Sequence, residues 1–245
     1  MIKIQKLSKS FNKKLILDEI SLNIDKAKIH FIIGTSGTGK TVLVKHIVGL
    51  LKPDKGEILF DNVDITKLKE KEMKKIRKKI TYVFQHSTLF DHLTLYENIE
   101  LPLVKVEKHD RVSLPKLIKK YMKLVNIEEY QDKYPYEIGD SIKKRTAIAR
   151  ALAMNPEYII YDEPTTGLTY ADARNIDNLI FEMSRKLNIT AIVISHDLES
   201  IFSIADRVTM LHKGKILLDD TKETFKNSKN EIIDQFINGN AEGPI

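Results

Sequence analysis

Hydrophobic residues along the chain occur as short continuous runs that alternate with longer stretches of helical spacing. The runs predict β-strands at residues 1–7, 21–24, 29–33, 57–61, 80–84, 158–161, 190–194, 207–211 and 215–218. Apolar residues three or four positions apart predict helices at residues 42–51, 171–187 and 198–204. Strands that alternate with helices predict an α/β fold with a mostly parallel sheet covered on both faces.

The stretch from Leu93 to about Ala153 interrupts this alternation with a helical pattern that contains no convincing strand. Prolines at positions 102, 115 and 135 divide it, and we interpret it as an insert or a helical subdomain. Residues 221–245 are a polar tail with a partly helical pattern. For this tail a dimer contact and a disordered segment are both open interpretations.

A glycine-rich loop lies between the predicted strand 29–33 and the predicted helix 42–51. It matches the P-loop pattern G-x-x-x-x-G-K-[ST] in its expected strand–loop–helix context, as Gly34-Thr35-Ser36-Gly37-Thr38-Gly39-Lys40-Thr41. The glycines let backbone amides approach a polyphosphate, and the positive end of the next helix faces the same anion. We expect Lys40 to reach the β- and γ-phosphates and the Thr41 hydroxyl to ligate Mg²⁺. The loop therefore predicts a nucleoside triphosphate site.

Two carboxylates follow the apolar run 158–161. Asp162 stands at the end of the predicted strand, where an aspartate would hold Mg²⁺ through water. Glu163 comes next, at a point where the chain turns, and we expect it to orient or deprotonate the attacking water. Pro164 then fixes the exit from the strand.

Two further polar side chains follow predicted strands, Gln85 after 80–84 and His196 after 190–194. Ligands of open α/β folds bind at the carboxyl edge of the sheet, which is where both residues are predicted to lie. Gln85 is a candidate Mg²⁺ ligand that senses the γ-phosphate, and His196 is a candidate hydrogen-bond partner of that phosphate. Phe11 is either a core residue or a platform on which adenine stacks.

Composition narrows the class of protein. The 245 residues, 42% of them hydrophobic, suffice for one large α/β domain or two small units. The N-terminus lacks the apolar segment of a signal peptide, and no apolar run approaches the ~18 residues of a membrane span. We therefore expect a chain that is soluble or held at a membrane by a partner. The absence of cysteine excludes disulfides and thiol chemistry and fits a reducing cytoplasm.

The net charge of +6 comes largely from the lysine-rich residues 67–79. Apolar positions recur there about every four residues, which predicts a helix with one thin apolar stripe. A basic patch for nucleic acid or anionic lipid is one interpretation. A solvated helix face is the favoured one, and no nucleic-acid partner is expected.

The order and spacing of these motifs resemble the ATP-binding subunit of an ABC transporter over about residues 1–220. The resemblance rests on the P-loop, Gln85, Tyr161-Asp162-Glu163-Pro164-Thr165-Thr166-Gly167-Leu168 and Ile194-Ser195-His196-Asp197. It implies one ABC ATPase domain with a RecA-like P-loop NTPase core, an antiparallel β subdomain and an α-helical subdomain at about 88–155. It also implies that ATP with Mg²⁺ is held between two subunits, with Phe11 at the position of the adenine-stacking aromatic. The implied partners are a second ATPase subunit, in a homodimer, and an integral membrane permease.

A narrower resemblance is to the Mce/Mla-type lipid-transport ATPases. It is carried by residues 45–54, residues 87–99 and the closing residues 241–245. It implies phospholipid transport between inner and outer membranes, a periplasmic lipid-binding partner, and a peripheral location at the cytoplasmic face of the inner membrane.

The chain departs from the family at its signature motif, where Leu-Ser-Gly-Gly-Gln is replaced by Ile138-Gly139-Asp140-Ser141-Ile142. The resemblance places Gly139, Asp140 and Ser141 at the γ-phosphate across the dimer. Two like unit charges about 4 Å apart repel by about 4 kcal/mol at an effective dielectric of about 20, so Asp140 would weaken the closed dimer. Alternatively, Asp140 or Ser141 caps the helix 142–154, or Ser141 supplies a displaced hydroxyl.

A second departure follows Leu168, where Thr169 and Tyr170 replace the family's usual Asp-Pro. Two hypotheses result from these departures. The first is an active ATPase that drives a membrane transporter, favoured by intact Lys40, Glu163 and His196. The second is an ATP-binding subunit that gates or scaffolds a complex with little turnover, or that pairs with a partner whose signature motif is intact.

Overall fold

The computed structural model describes residues 1–106, 112–240 and 242–243. The strands are β1 (Ile2–Phe11), β2 (Lys14–Ile24), β3 (Ile29–Ile33), β4 (Lys55–Phe60), β5 (Val63–Asp64), β6 (Ile80–Val83), β7 (Tyr158–Asp162), β8 (Thr190–Ile194), β9 (Arg207–His212) and β10 (Lys215–Thr221). The helices are α1 (Lys40–Ile47), α2 (Glu70–Lys79), α3 (Leu95–Lys105), α4 (Leu114–Leu124), α5 (Asp140–Leu152), α6 (Tyr170–Leu187), α7 (Leu198–Ile204), α8 (Lys222–Lys226) and α9 (Glu231–Asn238).

The strands form two sheets. The larger sheet has the order β10-β9-β3-β8-β7-β6, and all its pairings are parallel except that of β10 with β9. The smaller sheet has the order β2-β1-β4-β5 and is antiparallel. This arrangement confirms the predicted α/β class with a mostly parallel sheet and an antiparallel β subdomain.

The larger sheet separates two hydrophobic cores, which explains why its central strands are continuous apolar runs. Ile29, Phe31 and Ile33 of β3 pack in one core with residues of α3–α7, whereas Ile32 packs in the other core with α1 and the smaller sheet. All five residues of β3 and of β8 are buried. Strands buried on both faces are typical of parallel sheets.

The end of helix α1 is a correction to the predicted helix 42–51. The helix begins at Lys40 and ends at Ile47, because Gly49 takes a left-handed conformation with φ of 66°. A Cβ atom at Gly49 would lie 2.3 Å from Met73 Cε, so α2 packs directly against this backbone. The lysine-rich helix likewise begins later than predicted, at Glu70, after a short 3₁₀ turn at Ile65–Lys67.

The predicted helical stretch contains α3, α4 and α5, and its described residues form no strand. In the tail, Phe225 of α8 and Ile233 of α9 are buried in the same core as α6. Of the closing residues 241–245, positions 241, 244 and 245 lie outside the described part of the chain. None of the described helices is long and apolar enough to cross a bilayer.

Candidate functional site

The glycine loop joins β3 to α1 and is packed against two other strands. A Cβ atom at Gly34 would lie 2.3 Å from the Leu211 carbonyl oxygen, and one at Gly39 would lie 2.7 Å from Leu17 Cδ2. Gly34 and Gly39 also have φ of 141° and 100°, which disfavour side chains. These two positions therefore require glycine so that the loop can wrap closely at the end of β3.

Lys40 opens helix α1 and extends its side chain back over the loop. Its Nζ atom donates hydrogen bonds to the carbonyl oxygens of Gly34, at 2.7 Å, and Thr35, at 2.9 Å. Burial lowers the pKa of the Lys40 ammonium, and the negative charges of Glu163 and Asp162 oppose that shift. The ammonium thus lies within the electrostatic reach of the two carboxylates at the end of β7.

A pocket of about 430 Å³ opens beside the loop. Its lining combines loop residues 35–38 with residues 14–16 and the β9–β10 turn at residues 212–214. Phe11, at the end of β1, is 42% exposed, so the alternative that it is a core residue is wrong. Thr41 is exposed in the first turn of α1, with no described hydrogen bond from its hydroxyl.

Asp162 and Glu163 lie at the carboxyl end of β7 and have separate partners. The Tyr82 hydroxyl donates a 2.7 Å hydrogen bond to Asp162 Oδ2. The backbone N–H of Glu163 donates to the Ile194 carbonyl oxygen at 2.9 Å, and the residue has a left-handed φ of 48°. This local turn places the two successive carboxylates in different hydrogen-bond environments.

The Glu163 carboxylate is held by the loop that follows β8 and by the turn that follows β7. His196 Nδ1 lies 3.1 Å from Glu163 Oε1, and the Thr166 hydroxyl donates to Oε2 at 3.1 Å. The Glu163 side chain is 16% exposed, whereas that of His196 is 67% exposed. The structure therefore brings Glu163 and His196 together.

Lys144 of α5 is a residue that sequence reasoning missed. It is buried, and its Nζ atom lies 3.5 Å from the Gln85 carbonyl oxygen and 3.3 Å from the Glu163 carbonyl oxygen. Burial lowers the pKa of the Lys144 ammonium. Lys144 thus joins the helical segment to the backbone after β6 and β7, while the Gln85 side chain itself is exposed.

The residues at the altered signature motif lie around the start of α5. Gly139 is the residue before the helix, and no side chain caps it. The proposed cap from Asp140 or Ser141 is therefore wrong, because both residues are already inside the helix. Asp140 is 70% exposed and lies 3.5 Å from Lys143 Nζ, and the Ser141 hydroxyl donates to Asp172 Oδ1 at 2.9 Å.

The oxygen atoms predicted to bind Mg²⁺ are those of Thr41, Gln85 and Asp162. The described residues contain no cluster of three metal-binding carboxylates, imidazoles or thiols. Mg²⁺ is typically held by one or two carboxylates together with water and substrate phosphates, so a single aspartate with hydroxyl and amide oxygens fits it. Asp162 Oδ2 is occupied by Tyr82, which leaves Oδ1 for this role.

The glycine loop at the start of α1 and the polar residues at the carboxyl edge of a parallel sheet define a nucleotide-binding ATPase of the P-loop class. More narrowly, a family model described as "ABC transporter" matches residues 17–166, and the chain belongs to that family. The predicted resemblance to ABC transporter ATP-binding subunits is thereby confirmed.

Relatives and solved structures agree with this family. The chain is 38% identical over 242 residues to the methionine import ATP-binding protein MetN of Haemophilus influenzae, covering 97% of this chain and 70% of the relative. It is 33% identical over 245 residues to the intermembrane phospholipid transport system ATP-binding protein MlaF of Haemophilus influenzae, covering 100% of this chain and 93% of the relative. A dimeric ATP-binding cassette, MJ0796 bound to ADP and phosphate, matches with a TM-score of 0.80 at 30% identity, covering 91% of this chain and 99% of that chain.

A further solved structure, cbiO1 of Clostridium perfringens, is described as part of an ABC transporter complex. It matches with a TM-score of 0.86 at 32% identity, covering 92% of this chain and 90% of that chain. The chain is therefore the ATP-binding subunit of an ABC transporter and an ATP hydrolase, of a class that dimerises and works with membrane permease components.

Proposed function

We propose that this chain hydrolyses Mg·ATP at a site completed by a second copy and thereby drives phospholipid transport through a permease. The observation that carries the hydrolytic part is the Glu163 carboxylate, held by His196 and Thr166 within the electrostatic reach of Lys40. A carboxylate fixed beside a phosphate-binding loop is suited to orient a water molecule for attack on the terminal phosphate.

The other residues have complementary roles in this proposal. The loop residues 34–41 bind the phosphates through backbone amides and Lys40, and the exposed Phe11 ring stacks on the base. Thr41, Gln85 and Asp162 hold Mg²⁺, which neutralises the phosphate charge when bound. His196 positions Glu163 and hydrogen-bonds the γ-phosphate.

The phospholipid substrate is supported by residues 45–54 and 87–99, which resemble the Mce/Mla-type ATPases, and by the MlaF relative. The second of these segments contributes Thr88 and Phe90 to a groove beside α3 and α5. We place the permease in that groove, the chain at the cytoplasmic face of the inner membrane, and a lipid-binding protein on the periplasmic side of the permease.

The groove has the size and the lining of a docking surface for a helical element. Its volume is about 560 Å³, and its lining is mainly apolar, including Phe90, Leu101, Pro102, Val106, Ala151 and Met154. Arg150 fixes one wall, because its guanidinium donates to the carbonyl oxygens of Ser87 and Thr88. An apolar helix face from the permease would bury this surface.

Replacing Phe90 with aspartate should break the contact with the permease. The ring is 44% exposed at the groove, and a carboxylate there would have to be desolvated on docking. Recovery of the chain with its co-expressed permease should fall at least tenfold, while ATP binding by the isolated chain is unchanged. Leu50→Asp is the matched control, since Leu50 is 59% exposed outside the groove. Equal recovery of both variants would contradict this assignment.

A second candidate function, a gating or scaffolding subunit with little turnover, is favoured by the exposed Asp140 at the start of α5.

Asp140→Gly should raise kcat/KM for ATP about fivefold. The reason is that two like charges about 4 Å apart, here Asp140 and the γ-phosphate, repel by about 1 kcal/mol even in water. Steady-state ATP hydrolysis by the complex measures this change in kcat/KM. Turnover that is undetectable in the wild type and appears only in the variant would favour the gating function, and an unchanged rate would remove Asp140 from the site.

Transport itself is tested with the complex reconstituted in proteoliposomes. ATP-dependent transfer of a fluorescent phospholipid between these vesicles and acceptor vesicles is expected, and it should be absent with Lys40→Ala. Uptake of radiolabelled methionine serves as the parallel assay, because the relative MetN is a methionine import ATP-binding protein. Methionine uptake without phospholipid transfer would overturn the lipid assignment and leave the ATPase intact.

A further inference from the structure

Arg174 of α6 makes an unusually large set of contacts for a residue that the mechanism does not use. Its Nη2 atom lies 2.5 Å from Asp197 Oδ2 and donates to the Ser200 hydroxyl at 3.2 Å. Its Nη1 atom lies 3.0 Å from Asp177 Oδ2. The guanidinium also lies 5.5 Å from the centre of the Tyr170 ring. A single side chain therefore ties α6 to the loop that begins directly after β8.

Asp197 connects the Arg174 side chain to the loop that follows β8. It follows His196, and its Oδ1 atom accepts hydrogen bonds from the backbone N–H groups of Glu199 and Ser200, which caps α7. Its Oδ2 atom also lies within 3.4 Å of the Thr165 hydroxyl, two residues after Glu163. The Asp197 carboxylate therefore contacts the backbone that follows His196 and a side chain that follows Glu163.

Asp177 holds the opposite side of the guanidinium. It is 2% exposed, and it accepts a 2.9 Å hydrogen bond from the Ser200 hydroxyl. Burial raises the pKa of the Asp177 carboxyl to about 6, while Ser200 and the Arg174 charge oppose that rise. Arg174 is thus bound between a carboxylate of its own helix and one of the His196 loop, an arrangement suited to the planar guanidinium fork.

Little packing holds the His196 side chain in place, since it is 67% exposed and its hydrogen bond is the one with Glu163. We propose that Arg174 is a positioning residue which, through Asp197, holds His196 against Glu163 for ATP hydrolysis. The inference rests on the roles proposed above for Glu163 and His196.

The test compares Arg174→Met and Arg174→Lys in the purified complex. Methionine keeps much of the apolar stem but removes the charge and the fork, so kcat should fall about 10- to 100-fold as the Glu163–His196 geometry loosens. The dissociation constant for ATP should change less than twofold, because Arg174 makes no described contact with the glycine loop. The Arg174→Lys variant keeps one charged contact and should therefore retain part of the wild-type kcat.

Arg185 of the same helix is the matched control. It also pairs with a carboxylate, Asp206, and lies over an aromatic ring, Phe181, but it is tied to Ala27 at the far end of β3. Arg185→Met should therefore lower the melting temperature with kcat nearly unchanged. A loss of kcat no larger in Arg174→Met than in Arg185→Met would overturn the inference, as would equal rates in Arg174→Met and Arg174→Lys.

His196→Ala separates this inference from the proposed function. If His196→Ala lowers kcat and Arg174→Met does not, the positioning role of Arg174 is wrong and the site assignment stands. If His196→Ala leaves kcat unchanged, the site assignment itself fails. A fall of kcat in both variants, with ATP affinity retained, is the expected result.

Discussion

Glu163→Gln should reduce ATP turnover by about 100- to 10,000-fold and leave ATP bound. The amide keeps the shape of the carboxylate and an oxygen that can accept from Thr166, but it cannot take a proton from water. It also removes the negative charge that faces Lys40 across the site. The nucleotide should therefore remain trapped between two copies, seen as a dimer that carries ATP after size-exclusion chromatography.

The matched control for this experiment is Glu182→Gln on α6. Glu182 forms a surface ion pair with Lys186, and pairs of that kind contribute little to stability. This variant should hydrolyse ATP at the wild-type rate. Wild-type turnover in Glu163→Gln would remove Glu163 from its assigned role.

Lys40→Ala should weaken ATP binding about 100-fold and abolish measurable turnover at moderate ATP concentrations. Hydrogen bonds to charged groups contribute about 1.5–3 kcal/mol each, and 2.7 kcal/mol corresponds to a factor of about 100 in affinity. The Lys40 side chain is half-buried, which limits replacement of its charge by solvent. Isothermal titration with a nonhydrolysable ATP analogue measures the change directly.

Lys45→Ala tests whether the effect belongs to the site or to the helix. Lys45 is exposed in the last turn of α1, so its removal changes the charge of the same helix away from the loop. The ATP affinity of the Lys45→Ala variant should stay within about twofold of the wild type. Similar losses in both variants would indicate a general electrostatic effect, and Lys40 would then have no specific phosphate contact.

Elements with strong local signals were predictable from the sequence. The strands β3 and β8 have the predicted bounds because each is a short, mainly apolar run, which is followed by Gly34 after β3 and by Ser195 after β8. The apolar runs 158–161 and 190–194 placed Asp162, Glu163 and His196 at one edge of the sheet, since parallel strands share their carboxyl ends. The Glu163–His196 contact follows from this topology.

What the sequence did not reveal depends on contacts between distant positions. Met73 packs against Gly49, whose left-handed conformation ends α1 although apolar spacing continues past it. Lys144 and Arg174 lie in helical patterns where a lysine or arginine ordinarily indicates a solvated face. Only the packing of α5 and α6 against the sheet directs these charges toward backbone carbonyls and the His196 loop.

The hydrogen bonds from Lys40 to the Gly34 and Thr35 carbonyls bear on how the enzyme resets between cycles. A half-buried ammonium that lost its phosphate partner without gaining another would carry a desolvation penalty. Here the loop offers two replacement acceptors at 2.7 and 2.9 Å, so departure of the nucleotide is an exchange of partners. Acceptors that the chain itself supplies therefore lower the free-energy cost of losing the phosphate contact.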